Sequence, residues 1–211
     1  MTQSDLSQVY RYVDAASEHL IQDLCALLAQ PSISAQNVGM EECASRLATM
    51  MRNAGISSEI VPTEGYPVVY GELHSGNDLP TLAIYGHYDV QPPEPLELWK
   101  TPPFEPTVVN GRIYGRGTGD NKGQLYAHVK AAQAFLETRG ELPIKVKFIF
   151  EGEEEISSPS LRPFIEEHRD LLKADAALTA DAPGHESGRQ QINCGLKGMC
   201  YVEISAKGAN K

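Results

Sequence analysis

The sequence lacks any long apolar run, since no segment approaches the roughly 18 consecutive apolar residues of a membrane-spanning helix. Its first residues, MTQSDLSQVYRYVD, have neither the basic start nor the apolar stretch of a secretory signal. We therefore expect a cytoplasmic protein that does not contact a membrane.

Basic residues are also scarce, with 18 Lys and Arg against 28 Asp and Glu and a formal net charge of -10. Proteins that bind nucleic acid neutralise phosphates with clustered Lys and Arg, so we expect no nucleic-acid partner. An excess of carboxylates is compatible with cation binding, but many acidic proteins bind no metal.

Cysteine is rare as well. The four residues Cys25, Cys43, Cys194 and Cys200 form no C-x-x-C pair. This spacing indicates neither a disulfide framework nor a structural zinc site. We expect them to be buried thiols.

Helical and extended patterns alternate along the chain, whose 211 residues suffice for one large domain or for one domain and the start of another. Apolar residues spaced by three and four predict helices over Leu6–Leu28, Ala44–Ala54 and Gln124–Thr138. Apolar runs bounded by Pro, Gly or Asn predict five strands: Ser58–Val61, Val68–Leu73, Thr81–Tyr85, Ile144–Phe150 and Ala174–Thr179. The pair Asn110-Gly111 predicts a hairpin. The alternation predicts an α/β fold with helices on the faces of a sheet.

Carboxylates or imidazoles follow several of these strands, where ligands gather in open α/β sheets. His87 and Asp89 follow TLAIYG, the acidic run EGEEE follows IKVKFIF, and Asp181 follows ADAALTA. Asp120 lies in the glycine-rich segment GRGTGDNKG, just before a predicted helix.

Each of these signals has a plainer interpretation. A single histidine is more often a core or turn residue, an acidic run is usually a solvated surface, and a glycine-rich loop can bind phosphate. However, GRGTGDNKG matches neither the P-loop spacing nor G-x-G-x-x-G. Several carboxylates at one sheet edge are costly unless cations compensate their charge. Together, His, Asp and Glu without Cys favour a hydrolytic two-metal site over a structural zinc.

Four segments resemble, in order and spacing, the metal-site motifs of one enzyme family. They are HYDVQP, GRGTGDNKG, EGEEEISS and LTAD. The family includes acetylornithine deacetylase, succinyl-diaminopimelate desuccinylase, carboxypeptidase G and carnosinase. The segments WKTPPFE and GLKG are most similar to the carnosinase-like dipeptidases. The resemblance implies a zinc-dependent exopeptidase-like catalytic domain, with a central mixed sheet flanked by helices on both faces.

The resemblance also implies a metal ligand set. Asp120 would bridge two zinc ions, His87 and Asp181 would complete one metal, and Glu155 would contribute to the other. Co²⁺ or Mn²⁺ are expected substitutes for Zn²⁺. The peptide between Asp120 and Asn121 is expected to be cis.

Two further residues receive catalytic roles from the resemblance. Glu154 would be the general base, and Asp89 would orient His87. The alternative register, in which Glu153 and Glu154 form the acidic pair, remains open. Ile156 and Ser157 depart from the family pattern, in which small or polar residues and Gly are common.

The family's chains are longer and contain a lid or dimerisation domain that supplies a substrate-contacting histidine. We therefore expect residues 1–195 to be the N-terminal part of the catalytic domain and residues 196–211 to begin the lid. The final GANK resembles the segment ahead of the lid histidine. The expectation is a truncated chain that binds at most one zinc tightly and is inactive alone, whereas the full-length form is a homodimer.

The expected function is hydrolysis of amide bonds in dipeptides or N-acyl amino acids by a water activated between two zinc ions. Two alternatives stay open. One is a catalytically incompetent metal-binding module derived from the family, and the other is a two-metal phosphoesterase, which also uses His and Asp at strand ends.

Overall fold

The structure is a computed structural model that describes residues 6–74, 76, 78–181, 187–189, 192–195, 198 and 200–209. The chain divides into two compact units, Met1–Asp181 and Ala182–Lys211. All helices and strands of the described residues lie in the first unit. No described helix is both long and apolar enough to cross a membrane.

The described part of the first unit contains five α-helices. They are α1 (Ser7–Ala15), α2 (Ser17–Leu28), α3 (Met40–Asn53), α4 (Lys122–Arg139) and α5 (Leu161–Glu167). Short 3₁₀ turns cover Ser34–Gln36, Leu96–Leu98 and Glu154–Ile156. After α3 and α4 the chain turns at Gly55 (φ 81°) and Gly140 (φ 75°), whose left-handed backbone favours glycine.

The prediction of one helix over Leu6–Leu28 was wrong, because the chain leaves helical geometry at Ala16 (φ -91°, ψ 1°). Between Val13 and Leu20 the sequence has no large apolar residue. No large apolar side chain can therefore anchor this turn against the core, and α1 and α2 form separately.

Seven strands in the part of the chain that the structure describes form two sheets. They are β1 (Ser57–Val61), β2 (Val68–Leu73), β3 (Thr81–His87), β4 (Thr107–Val109), β5 (Arg112–Tyr114), β6 (Lys145–Glu151) and β7 (Ala176–Thr179). The main sheet has the order β1-β2-β6-β3-β7, and β4 and β5 form the predicted hairpin around Asn110-Gly111. The predicted α/β class with a central mixed sheet is confirmed.

The three neighbouring strands β6, β3 and β7 are parallel, whereas β1 and β2 join them by antiparallel pairing. Because parallel strands end at the same edge, the residues that follow them meet there. His87 pairs in register with Glu151, and Tyr85 pairs with Thr179 two residues before Asp181.

The core lies between the sheet and two helices. Along β6 the side chains of Val146, Phe148 and Phe150 are buried in one cluster with residues of α3 and α4, such as Leu47 and Leu125. The residues between them in β6 are half-buried. This alternation has the period of two expected of a strand, and it fixes the register at the sheet edge.

The second unit has no helix or strand among its described residues, and its large apolar side chains Ile192, Tyr201, Val202 and Ile204 are exposed. The prediction of buried thiols was wrong for Cys194 and Cys200, which are exposed because no described element of this unit covers them. Cys43 is buried and Cys25 is half-buried.

The predicted domain boundary near residues 195–198 stays a prediction. Leu196 and Lys197 of GLKG lie outside the described residues, as do Asn210 and Lys211 of GANK.

Candidate metal centre

His87 is the last residue of β3, and its side chain is fully buried. Its ring atom Nδ1 lies 3.2 Å from Asp89 Oδ1 and 3.1 Å from the Asp89 backbone oxygen. The other ring nitrogen, Nε2, is buried and has no hydrogen-bond partner. A neutral ring that donates from Nδ1 to Asp89 presents a free lone pair at Nε2, which is the arrangement of a metal-binding histidine.

Three carboxylates surround this nitrogen. The distances from His87 Nε2 are 3.0 Å to Asp120 Oδ1, 3.7 Å to Asp181 Oδ2 and 3.8 Å to Glu154 Oε2. The 3.0 Å separation is an ion-pair distance without hydrogen-bond alignment, so Nε2 remains unpaired. The structure therefore brings together carboxylates from three different segments around one imidazole.

The electrostatics of His87 reflect this crowding. Burial by itself lowers the pKa of His87, but the hydrogen bond to Asp89 and the carboxylates of Asp89, Asp181 and Glu154 outweigh it and raise the pKa to about 9. Negative charge that stabilises an imidazolium stabilises a bound cation equally well. A metal ion would take the place of the proton at Nε2.

Among the residues that the structure describes, two groups of side chains could hold a metal ion. One joins His87, Asp120 and Asp181, the other joins His87, Glu154 and Glu155, and the ligand atoms within each group lie within 4.8 Å of one another. Imidazole and carboxylate ligands suit zinc and other divalent cations. Together with the unpaired Nε2, this donor set fits a metal ion.

Asp120 reaches the site from the turn that precedes α4. The Asp120–Asn121 peptide is cis, as the resemblance predicted. The side chain of Asn121, which the sequence did not single out, accepts a hydrogen bond from the His87 backbone N–H at 3.3 Å and donates to the Ala180 carbonyl at 3.1 Å. Asn121 thereby ties this turn to the ends of β3 and β7.

The acidic run divides into residues with different partners. Glu153 is buried, and its two carboxylate oxygens accept hydrogen bonds from the backbone N–H groups of Tyr66 at 3.0 Å and Ser160 at 2.9 Å. Glu154 faces His87 instead, and Glu155 accepts a hydrogen bond from Gln91 Nε2 at 2.7 Å. This arrangement favours the register in which Glu154 and Glu155 form the acidic pair.

The environment of Glu154 affects its protonation. Burial raises the pKa of this carboxyl above its ordinary value, His87 opposes the rise, and the carboxylates of Asp181 and Glu155 add to it. A carboxyl with a raised pKa that still reaches solvent is suited to accept and return a proton.

A comparison with protein families agrees with the geometry. The model of "Peptidase family M20/M25/M40" matches residues 83–209, which include all six predicted site residues. The chain belongs to this peptidase family.

Individual M20 relatives are similar over nearly the whole chain. The Beta-Ala-His dipeptidase of Rattus norvegicus is 30% identical over 224 residues, covering 96% of this chain and 45% of that protein. The Cys-Gly metallodipeptidase dug1 of Schizosaccharomyces pombe is 29% identical, with 96% and 46% covered. The chain thus spans slightly less than half the length of these relatives.

Solved M20 structures share the fold. The M20 family metallo-carboxypeptidase Sso-CP2 from Sulfolobus solfataricus is 41% identical with a TM-score of 0.76, covering 81% of this chain and 39% of that one. Human carnosine dipeptidase 1 is 31% identical with a TM-score of 0.78, covering 84% and 41%. The family resemblance is therefore confirmed.

The second metal position expected in this M20 chain is less complete than the first. Among the described residues, no third ligand joins Asp120 and Glu155 within 4.8 Å, and Glu155 is instead grouped with His87 and Glu154. The ligand set of a second ion stays a prediction.

Proposed function

We propose that the protein is a metal-dependent hydrolase that cleaves amide bonds of dipeptides or N-acyl amino acids. The main observation is the buried, unpaired Nε2 of His87, which faces Asp120, Asp181 and Glu154 at the ends of parallel strands. The names of two relatives, Beta-Ala-His dipeptidase and Cys-Gly metallodipeptidase, support dipeptides as the substrate class.

In this proposal His87, Asp120 and Asp181 hold one zinc ion, whereas Asp120 and Glu155 contribute to a second. Divalent cations held by these residues would lower the pKa of a bound water and polarise the substrate carbonyl. Co²⁺ or Mn²⁺ could serve in place of Zn²⁺ because the ligands are nitrogen and oxygen atoms.

The residues of the chain supply the proton transfers. Glu154 takes a proton from the attacking water and returns it to the leaving amine, for which its raised pKa and partly exposed carboxylate are suited. Asp89 holds the His87 ring through Nδ1, so that Nε2 keeps its direction. The mechanism needs no nucleophilic Ser or Cys.

The decisive experiment uses the full-length protein and compares Glu154→Gln with Glu155→Gln in hydrolysis of a dipeptide panel and in bound zinc after dialysis. Loss of a general base typically lowers turnover about 10²- to 10⁴-fold. We expect this loss in Glu154→Gln with zinc retained, and loss of zinc in Glu155→Gln. The reverse pattern would show that the two roles are exchanged.

Two other results would overturn the proposal. Full-length wild-type protein that binds zinc but hydrolyses neither dipeptides nor N-acyl amino acids would be an incompetent metal-binding module. Hydrolysis of a generic phosphate ester with Mn²⁺, without amide cleavage, would indicate a phosphoesterase. The homodimer, the cytoplasmic location and the absence of nucleic-acid partners stay predictions from the sequence.

A further inference from the structure

Ser34 lies outside the four family-like segments, yet its side chain contacts Asp89, the residue that orients His87. It begins the 3₁₀ turn Ser34–Gln36, is buried, and donates a hydrogen bond from Oγ to Asp89 Oδ2 at 2.7 Å. We propose that Ser34 is a positioning residue for the metal centre, acting through Asp89. This inference rests on the proposed metal-dependent function.

Asp89 joins the two sides of the site. Its Oδ1 contacts His87 Nδ1 at 3.2 Å and accepts a hydrogen bond from the Glu154 backbone N–H at 3.2 Å. Its Oδ2 accepts hydrogen bonds from the Glu155 backbone N–H at 3.0 Å and from Ser34 Oγ at 2.7 Å. One buried carboxylate thus orients the imidazole and also holds the turn that carries the acidic pair.

The Ser34 hydroxyl makes the shortest of these contacts, and it comes from a segment that is itself anchored. The Ser34 backbone carbonyl accepts a hydrogen bond from the Tyr66 hydroxyl at 3.0 Å, and the Tyr66 backbone N–H donates to Glu153. Without the hydroxyl, Asp89 Oδ2 keeps, among the described residues, only the hydrogen bond from the Glu155 backbone N–H. The carboxylate could then rotate, and His87 and Glu154 would lose their common support.

Ser32 provides a matched control in the same segment. Its side chain is also buried, but its Oγ donates to the Tyr88 carbonyl at 2.6 Å rather than to Asp89. Ser32→Ala and Ser34→Ala therefore remove the same group and one buried hydrogen bond each. Only Ser34→Ala changes the partners of the Asp89 carboxylate.

The test is a Co²⁺ titration of the chain, followed by visible absorption, with urea unfolding of each variant in parallel. Loss of an outer partner of a metal ligand, the role that Asp89 has here, typically costs about 10- to 100-fold in metal affinity, and Ser34 acts through that partner, so the lower end of the range applies. We expect Ser34→Ala to weaken Co²⁺ binding about 10-fold and to shift the absorption bands. Ser32→Ala should keep the wild-type affinity and spectrum, although both variants unfold at lower urea concentration.

A second pair of variants distinguishes the effect of the Ser34 hydroxyl from the effect of side-chain shape. The side chains introduced by Ser34→Thr and Ser34→Val have closely similar shapes, but only that of Ser34→Thr carries a hydroxyl. Co²⁺ affinity near wild type in Ser34→Thr, with weakened Co²⁺ affinity in Ser34→Val, would support the inference. Equal Co²⁺ affinity in wild type and Ser34→Ala would overturn it, as would an equal loss in Ser32→Ala. Wild-type protein that binds no Co²⁺ would overturn the proposed function together with this inference.

Discussion

The acidic residues around the site fall into two groups that differ in their hydrogen-bond donors. Asp89 and Glu153 are buried, and backbone N–H groups donate to both carboxylates. Asp120 and Glu154 point towards the unpaired ring nitrogen of His87 and, in the described part of the chain, accept no hydrogen bond from backbone N–H groups. The first group supports the structure, and the second leaves uncompensated negative charge.

The difference follows from the cost of placing carboxylates in a protein. A buried carboxylate is tolerated when N–H donors compensate its charge. Several carboxylates that face one imidazole repel one another instead, and burial and this repulsion together raise the pKa of Glu154. A divalent cation would remove the repulsion, whereas the carboxylate of Glu153 already has the donors that compensate it.

The largest effect is expected from His87→Gln, because His87 belongs to both ligand groups. Loss of a residue that contacts a metal ligand lowers metal affinity by up to roughly 100-fold. Loss of the ligand His87 itself should lower the affinity for Zn²⁺ or Co²⁺ by more than that. Calorimetric titration measures this change. His74→Gln is the control, since His74 is exposed and pairs with Glu72. Retention of wild-type affinity in His87→Gln would remove the basis for placing a metal ion among the carboxylates that face His87 Nε2.

The next largest effect is expected at Glu153, whose buried carboxylate accepts hydrogen bonds from backbone N–H groups. Glu153→Gln replaces a carboxylate oxygen by an amide N–H₂ that faces a backbone donor, so one buried hydrogen bond is lost. We expect the free energy of unfolding to fall by about 1 to 3 kcal/mol, measured by urea unfolding, with metal affinity unchanged. In the metal-free protein Glu154→Gln should be close to neutral in stability, because it removes a repelled charge. Equal destabilisation by the two variants would show that the division into two groups is wrong.

The sequence predicted the parts of this arrangement that depend on local patterns. Apolar runs located β3 and β6, glycines located the ends of α3 and α4, and the polar residues after the strands located the candidate ligands. The run EGEEE alone could not show which of its carboxylates accepts hydrogen bonds from buried backbone N–H groups. That depends on the N–H groups of Tyr66 and Ser160, which the fold brings to Glu153.

Long-range contacts explain what else the sequence could not show. Ser34 lies 55 residues from Asp89, and no local spacing links the two. The side-chain contacts of Asn121 with the ends of β3 and β7 depend on the order of strands in the sheet. Gln91 and Asn121 lie within the family-like segments HYDVQP and GRGTGDNKG, so their places in the sequence indicated that they lie near the site but not which atoms they contact.

The smallest effect is expected from loss of the Gln91 side chain, which donates to Glu155. Glu155 is intermediate between the two groups because its hydrogen-bond donor is a side chain and not a backbone N–H. Its carboxylate accepts one hydrogen bond, from the Gln91 side chain at an exposed position. Water can replace an exposed donor, so its net contribution is small, on the order of 0.5 to 1.5 kcal/mol at most. Gln91→Ala should therefore weaken Co²⁺ binding by no more than about threefold, near the lower end of that range. A loss of about 10-fold, as for an outer partner, would place Gln91 beside Ser34 among the residues that position the metal centre.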